Sequence, residues 1–488
     1  MLFNSISFLV FFTIVTSLYF ALPYKFRWLL LLLSSCYFYM SFVPVYILIL
    51  GFTVIIDYFA GIMIESATGK KKLFFLICSL VANIGILAIF KYYNFIIYNL
   101  SFLFEHAGVN NPFSYLSILL PIGLSFHTFQ AMSYTIEVYR GKQQAEKHFG
   151  IYALYVMFYP QLVAGPIERP QNLLHQFYEN HDFDYVRITD GLKLMAWGLF
   201  KKVIIADRLS ILVDNVYNNP YHHRGLSFII ATVCFSFQIF CDFSGYSDMA
   251  IGIAKVMGFK LMRNFNSPYH AQSVAEFWTR WHISLSTWFK DYLYIPLGGN
   301  RVSVPRLYLN LSIVFLVSGL WHGANWTFIA WGALHGFYLI FSIATKKYKS
   351  RIGRNTGLQN YPRLNSTLQV FITFFLVSFA WIFFRAKSIS IAFYIIKSII
   401  TDTSADVYNL LHHRQSHLDL GLIGKEIWVA IFSVALLEVV HIIQRRHSIV
   451  ALIRTKPAYL RWAVYYSFLV LLLLFNVSDS KQFIYFQF

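Results

Sequence analysis

The chain has 488 residues, of which 57% are hydrophobic and only 13% are Asp, Glu, Lys or Arg. Soluble domains average about 45–50% apolar and about 25% charged residues, so this chain lacks the charge to coat a water-facing surface of its size. That balance excludes a disordered chain, a disulfide-stapled secreted domain and, despite a net charge of +18, a nucleic-acid binder. It leaves an all-α polytopic membrane protein surrounded by lipid.

About 20 apolar residues cross a bilayer core of about 30 Å. In chain order, spans are predicted at roughly 4–22, 28–44, 45–64, 73–91, 114–132, 189–208, 226–252, 307–322, 326–345, 366–386, 427–445 and 460–478. The 307–322 segment is short, which suggests a tilted, re-entrant or protein-enclosed helix. The first run carries neither a basic leader nor a small-residue cleavage site and reads as a span.

Basic residues gather in the connectors: Lys70–Lys72 after the third span, Lys346–Arg354 after the ninth, and Arg445–Arg461 between the last two. The stretch 253–306 adds seven Lys and Arg against Glu276 and Asp291. If all are cytoplasmic, the spans alternate consistently and both termini lie outside. Lys201 and Lys202 fit this poorly, falling near the outer end of a span, where snorkelling is one explanation. Cys36, Cys78, Cys234 and Cys241 form no CxxC pair. The sequence carries no metal-ligand motif, P-loop, GxGxxG or HExxH.

An ionisable side chain inside a span is costly and marks a functional candidate. Three segments stand out. In 317–336, VSGLWHGANWTFIAWGALHG, His322 lies between Trp321 and Gly323, with Asn325 close behind. A histidine can take and return a proton near neutral pH; the alternative is a packing hydrogen bond to a carbonyl. His335 reads as structural. In 276–301, aromatics are interleaved with Glu276, Arg280, His282, Lys290, Asp291 and Arg301, as in an interfacial or partly inserted helix pair. A plain interfacial anchor of Trp and Lys would look the same. In 237–259, Asp242 and Asp248 flank SGYS. Asp242 is a candidate to orient a histidine or hold Arg280, and a structural ion pair is the alternative. The Pro- and Gly-punctuated 160–170 cannot run as a straight helix. In 126–141, His127, Gln130 and Glu137 suggest a satisfied polar helix face.

FWTRWHISLSTWFKDYLYIPLGG and VSGLWHGANWTFIAWG together resemble the membrane-bound O-acyltransferase family. The bacterial branch that acetylates alginate and peptidoglycan, or D-alanylates teichoic acid, is the most similar. YPQLVAGPIERP, CDFSGYSDMAIG and the terminal FIYFQF fit the same branch, so the resemblance covers nearly the whole chain.

The resemblance implies one membrane-embedded domain over 1–488. It would be a ring-like bundle of about 11–12 spans plus interfacial or re-entrant helices around a central tunnel, with a catalytic core near 120–345 and an aromatic tail at 479–488. It makes His322 the invariant catalytic histidine and His282 the second polar position, with Asp242, Asp248, Arg280, Trp321 and Asn325 as supporting groups. It implies an acyl thioester donor such as acetyl-CoA and no tightly bound cofactor. The acceptor would be a cell-envelope or exported polysaccharide, reached through a periplasmic or lipid-anchored SGNH-hydrolase-like partner at a bacterial inner membrane. Phe483, Tyr485 and Phe488 fit an F-x-Y-x-x-F terminal pattern of this branch, which makes Tyr485 a candidate acyl relay; an interfacial aromatic anchor is the alternative. D-alanyl transfer and a polysaccharide or lipid transporter are the competing functions.

Overall fold

The computed structural model describes residues 1–109, 111–117, 120–412, 420–421, 425–444, 449–475 and 483–484; every regular element among them is helical. The chain packs as two compact units, Met1–Ala196 with Tyr246–Arg263, and Trp197–Gly245 with Asn264–Phe488.

The first unit is built from α1 (Ile6–Ala21), α2 (Tyr24–Met40), α3 (Ile47–Ser66), α4 (Gly69–Leu87), α5 (Tyr93–His106), α6 (Leu124–Tyr139), α7 (Phe149–Met157), α8 (Pro170–Leu173) and most of α9 (Tyr185–Phe200). Its core joins α3, α4 and α6 through polar groups. The buried Asp57 accepts from Ser79 Oγ at 2.6 Å and from Asn83 Nδ2 at 2.9 Å, and Ser79 Oγ donates to Thr135 Oγ1 at 3.1 Å. Such a network is tolerable away from water because most of its polar atoms pair with one another.

The second unit holds α10 (Asp207–Asn218), α11 (Gly225–Met257) as far as Gly245, α12 (Val274–Arg280), α13 (Ile283–Phe289), α14 (Val304–His322), α15 (Trp326–Ala344), α16 (Lys346–Asn355), α17 (Pro362–Arg385), α18 (Ile389–Leu411), α19 (Lys425–Gln444), α20 (Ile449–Arg454) and α21 (Ala458–Phe475). Many helices turn large apolar side chains outward, and α21 buries none of its residues. In water this would be an aggregation surface; against lipid it is the expected outer face.

Among the described residues, eight helices are long and apolar enough to cross a membrane: Pro44–Ser66, Gly69–His106, Gly225–Met257, Val304–His322, Trp326–Ala344, Pro362–Arg385, Glu426–Gln444 and Ala458–Phe475. All eight overlap predicted spans, so this is a multi-pass membrane protein. The remaining four differ. Residues 4–22 and 28–44 form the shorter α1 and α2. Residues 114–132 begin outside any helix and enter α6 only after Pro121 and Gly123 (φ +78°), and most of α6 is buried by protein. Hydropathy cannot tell a protein-enclosed apolar helix from a lipid-facing one. Residues 189–208 run through α9 into a π-helical stretch, Lys201–Ala206. The short 307–322 segment is part of a regular 19-residue helix that starts at Val304 with Pro305 in its first turn.

That helix, α14, is pressed against α15 at backbone distance. A Cβ on Gly319 would sit 2.3 Å from Phe328 O, and one on Gly332 would sit 2.2 Å from Phe315 O. Neither neighbour is a flexible side-chain end, so an added methyl must push the helices apart. Gly319→Ala and Gly332→Ala are each expected to destabilise the protein by about 1–3 kcal/mol. Thermal unfolding followed by size-exclusion chromatography in detergent measures this, with Gly85→Ala, which meets no atom within 4 Å, as the unperturbed comparison.

Candidate active site

α12 is a well-specified helix. Ser273 Oγ accepts from Glu276 N–H at 3.1 Å, the Glu276 carboxylate accepts from Gln272 N–H at 2.7 Å, and Arg280 Nη2 reaches the same carboxylate at 2.5 Å. The sequence-predicted helix pair is therefore real, and Arg280 serves within its first member. α12 stops because His282 turns the chain. Its backbone is left-handed, φ +43° and ψ +54°, one of two described non-glycine residues with positive φ. That conformation costs on the order of 1–3 kcal/mol for a side chain with a Cβ and survives only when its surroundings impose it. Here Asn264 imposes it: its carbonyl accepts from Ile283 N–H at 2.9 Å, and its Oδ1 accepts from Ser284 N–H and Oγ at 3.2 and 3.0 Å. Asn266 N–H adds a bond to Arg280 O at 2.9 Å. His282 is fully buried.

His322 closes α14 and is also buried. The Trp321 indole is shared between the two histidines, 6.0 Å from the His282 ring and 5.0 Å from that of His322 between centroids. Trp331 and Phe384 stand 4.9 and 5.3 Å from His322. Trp381 stacks on Trp331 at 5.8 Å and meets Trp281 at 5.2 Å, closing an aromatic cage. His335 belongs to it as well: its ring lies 4.9 Å from Trp331 and its Nδ1 accepts from Trp278 Nε1 at 3.3 Å. Sequence reading set His335 aside. The available signal was its position one turn beyond Trp331 on the same helix face.

The polar groups beside the cage are rearranged from what the sequence suggested. Asp242 holds neither a histidine nor Arg280; its partner is Lys202, whose Nζ lies 2.7 Å from Asp242 Oδ1 and 2.8 Å from Asp207 Oδ1. Lys201 donates to Ser244 Oγ at 2.9 Å. Both lysines are buried, so snorkelling is excluded. The π-helical turn from Lys201 to Ala206 re-aims consecutive residues inward, which a straight 3.6-residue period does not anticipate. Asn325 caps α15, accepting from Thr327 N–H at 3.0 Å and donating to Lys387 O at 3.3 Å. Asp248 lies on the part of α11 that belongs to the first unit, and Tyr485 lies outside the described residues. In the first unit, the 160–170 break does interrupt helix, with Glu168 Oε1 accepting from Met262 N–H at 2.5 Å. Gln130 donates to Tyr155 O at 2.5 Å and Glu137 to no group but accepts from Arg140 and Gln171, whereas neither ring nitrogen of His127 has a hydrogen-bond partner among the described residues.

Three buried imidazoles, His282, His322 and His335, thus share one aromatic cage beside a left-handed turn. Residues 144–386 match the membrane-bound O-acyltransferase family. The chain is 40% identical over 396 residues to the probable alginate O-acetylase AlgI of Pseudomonas aeruginosa, covering 80% of this chain and 73% of that one. It is 37% identical over 404 residues to the peptidoglycan O-acetyltransferase of Helicobacter pylori (76% and 73%), and 30% identical over 286 residues to the teichoic acid D-alanyltransferase of Streptococcus thermophilus (55% and 69%). The chain belongs to the membrane-bound O-acyltransferase family, and it is an O-acyltransferase.

His282 lies outside the eight membrane-length helices, and burial pushes its pKa down to about 3. The unfolded imidazole titrates near 6.5, so between those values the unfolded chain binds the extra proton and stability falls as pH drops. At pH 5 this amounts to roughly 2 kcal/mol. His282→Asn, which does not titrate, is expected to lose less stability than the parent between pH 7.5 and pH 5. Thermal unfolding of both proteins at the two pH values checks this, and equal losses would remove His282 as a buried neutral group.

Proposed function

We propose that the protein transfers an acetyl group from a cytoplasmic thioester, such as acetyl-CoA, toward O-acetylation of a cell-envelope or exported polysaccharide. The observation that carries this reading is the pairing of His322 and His282 across the Trp321 indole. His322 is the general base and His282 its helper on the donor side. A hydroxyl gives its proton to the His322 imidazole as its oxygen attacks the thioester carbonyl. The tetrahedral intermediate then expels the thiolate, the C–S bond breaks, and the imidazolium returns the proton to sulfur. The products are an ester and a free thiol.

Tyr485 is the proposed first acceptor, its phenol carrying the acetyl group to a second hydroxyl. Because the acceptor is a polymer on the far side of an inner membrane, final transfer falls to a periplasmic or lipid-anchored SGNH-hydrolase-like partner. Both termini would then lie outside, as the basic connectors suggest. Acetyl is favoured over D-alanyl because the relatives named as acetylases match at 37–40% identity over about four-fifths of this chain, against 30% over 55% for the D-alanyltransferase.

General-base catalysis contributes about 10²–10⁴-fold. His322→Ala is therefore expected to lower transfer of radiolabelled acetyl from acetyl-CoA by at least about 10²-fold in membranes holding matched protein. Activity within a few-fold of the parent would refute the base assignment. Tyr485→Phe should leave no label on the protein while His322 is intact; label persisting elsewhere on the variant protein, or transfer to the polymer unchanged, would remove the tyrosine relay.

A further inference from the structure

The C-terminal tail is not loose where the structure describes it. Phe483 and Ile484 are buried, 2% and 4% exposed. The Ile484 N–H donates to Asp242 Oδ2 at 2.7 Å. The other oxygen of that carboxylate is taken by Lys202, which also holds Asp207. Phe483 packs on Phe243 at 5.8 Å, and Phe243 meets the His282 ring edge-on at 4.5 Å. One helical residue pair, Asp242 and Phe243, thus grips the tail by its backbone and its side chain, and the second of the pair touches a candidate catalytic histidine.

We propose that Asp242 is a positioning residue for acyl transfer: with its charge balanced by Lys202, it anchors the C-terminal tail through Ile484 N–H and seats Phe483 against the wall of the His282 site. A carboxylate two residues away from a buried histidine on another helix would usually be read as that histidine's orienting partner. Here its geometry is spent on a lysine and a backbone amide, so its effect on the histidine runs through the tail and Phe243. The choice of a backbone donor also explains why a charge is needed. An amide N–H in an apolar site accepts few alternatives, and a bond to an ionised oxygen is about twice as strong as a neutral one. Lys202 does not compete for that bond, since the ammonium and the amide take different oxygens. The link to catalysis rests on the function proposed above, because the residue that follows Ile484 in the chain is Tyr485.

The test uses the full-length chain in lipid nanodiscs, with amide hydrogen–deuterium exchange of C-terminal peptides containing Ile484 and, in parallel, transfer of labelled acetyl. In the parent, Ile484 is expected to be protected. In Asp242→Asn its exchange should quicken about 10- to 100-fold, while amides of α14 and α15 stay protected. Ile484→Pro removes the donor alone and leaves the ion cluster in place. It should lower acetyl transfer by itself and add no further loss in the Asp242→Asn background, because the bond between tail and carboxylate is already lost there. An unprotected Ile484 amide in the parent, unchanged exchange in Asp242→Asn, or additive losses in the double variant would each overturn the anchor. His322→Ala should stop transfer and leave Ile484 protection intact. No acetyl transfer by the parent protein in native membranes would refute the acyl-transfer assignment without touching the anchor, and normal transfer in His322→Ala would refute only the base role, so the readings can fail separately.

Discussion

One buried ammonium organises the second unit. Lys202 Nζ stands within 2.8 Å of carboxylates on two helices, Asp207 on α10 and Asp242 on α11. An isolated charge in so apolar a setting would cost several kcal/mol, and removing one partner of a buried pair typically costs about 3–5 kcal/mol. The π-helical turn from Lys201 to Ala206 is what lets two neighbouring lysines both face inward, one to the carboxylates and one to Ser244. Through Asp242 the same charge reaches the tail, and through Phe243 it borders the histidine site.

The second constraint is the left-handed backbone of His282. Every bond that imposes it comes from the 264–266 segment and from the start of α13, and none needs the imidazole. The His282 ring itself lies among aromatic side chains, edge-on to Phe243 at 4.5 Å and 6.0 Å from Trp321. Asparagine or glycine would adopt this conformation at less cost. That a histidine stands there, with the strain held in place by its neighbours, is the pattern found where a side chain's chemistry outweighs its conformational preference.

Much of this was legible in the sequence, and the reason is lipid. Where residues must cross a bilayer, composition alone marks the helices, and each intramembrane polar residue is costly enough to draw notice. His322 was picked out in this way and His282 through the family resemblance of its RWH motif, and the structure brings them to one indole. The misses share a cause too. Lys201 and Lys202 were assigned by where a straight helix would end, and a π-turn changed their direction. For Asp242 the sequence left a structural ion pair open beside a histidine or Arg280, and the structure shows the ion pair, with Lys202 some forty residues back on the π-helical turn. Residues 124–132, the part of the predicted 114–132 span that lies in α6, are apolar for burial in protein, and Asn325 caps α15.

The aromatic cage has a further consequence for chemistry. Tryptophan and phenylalanine rings supply no general acid or base of their own, so under the proposed function any proton transfer in the cage falls to its three imidazoles. Their positions are not interchangeable. His335 is tied to Trp278 through Nδ1, and His282 is fixed by the turn it sits in, whereas His322 is held at the end of a helix whose last turn rests on Gly319 against Phe328. Under the proposed function, a site walled by aromatic rings with one histidine at a helix terminus suits a reaction whose competing pathway is hydrolysis of a thioester. Excluding water protects the activated acyl group until a hydroxyl arrives, and it strengthens each electrostatic contact made as the oxyanion forms. The same dryness is why the tail must be held by a charge-assisted bond: in this setting a weakly anchored backbone amide would have no water to fall back on.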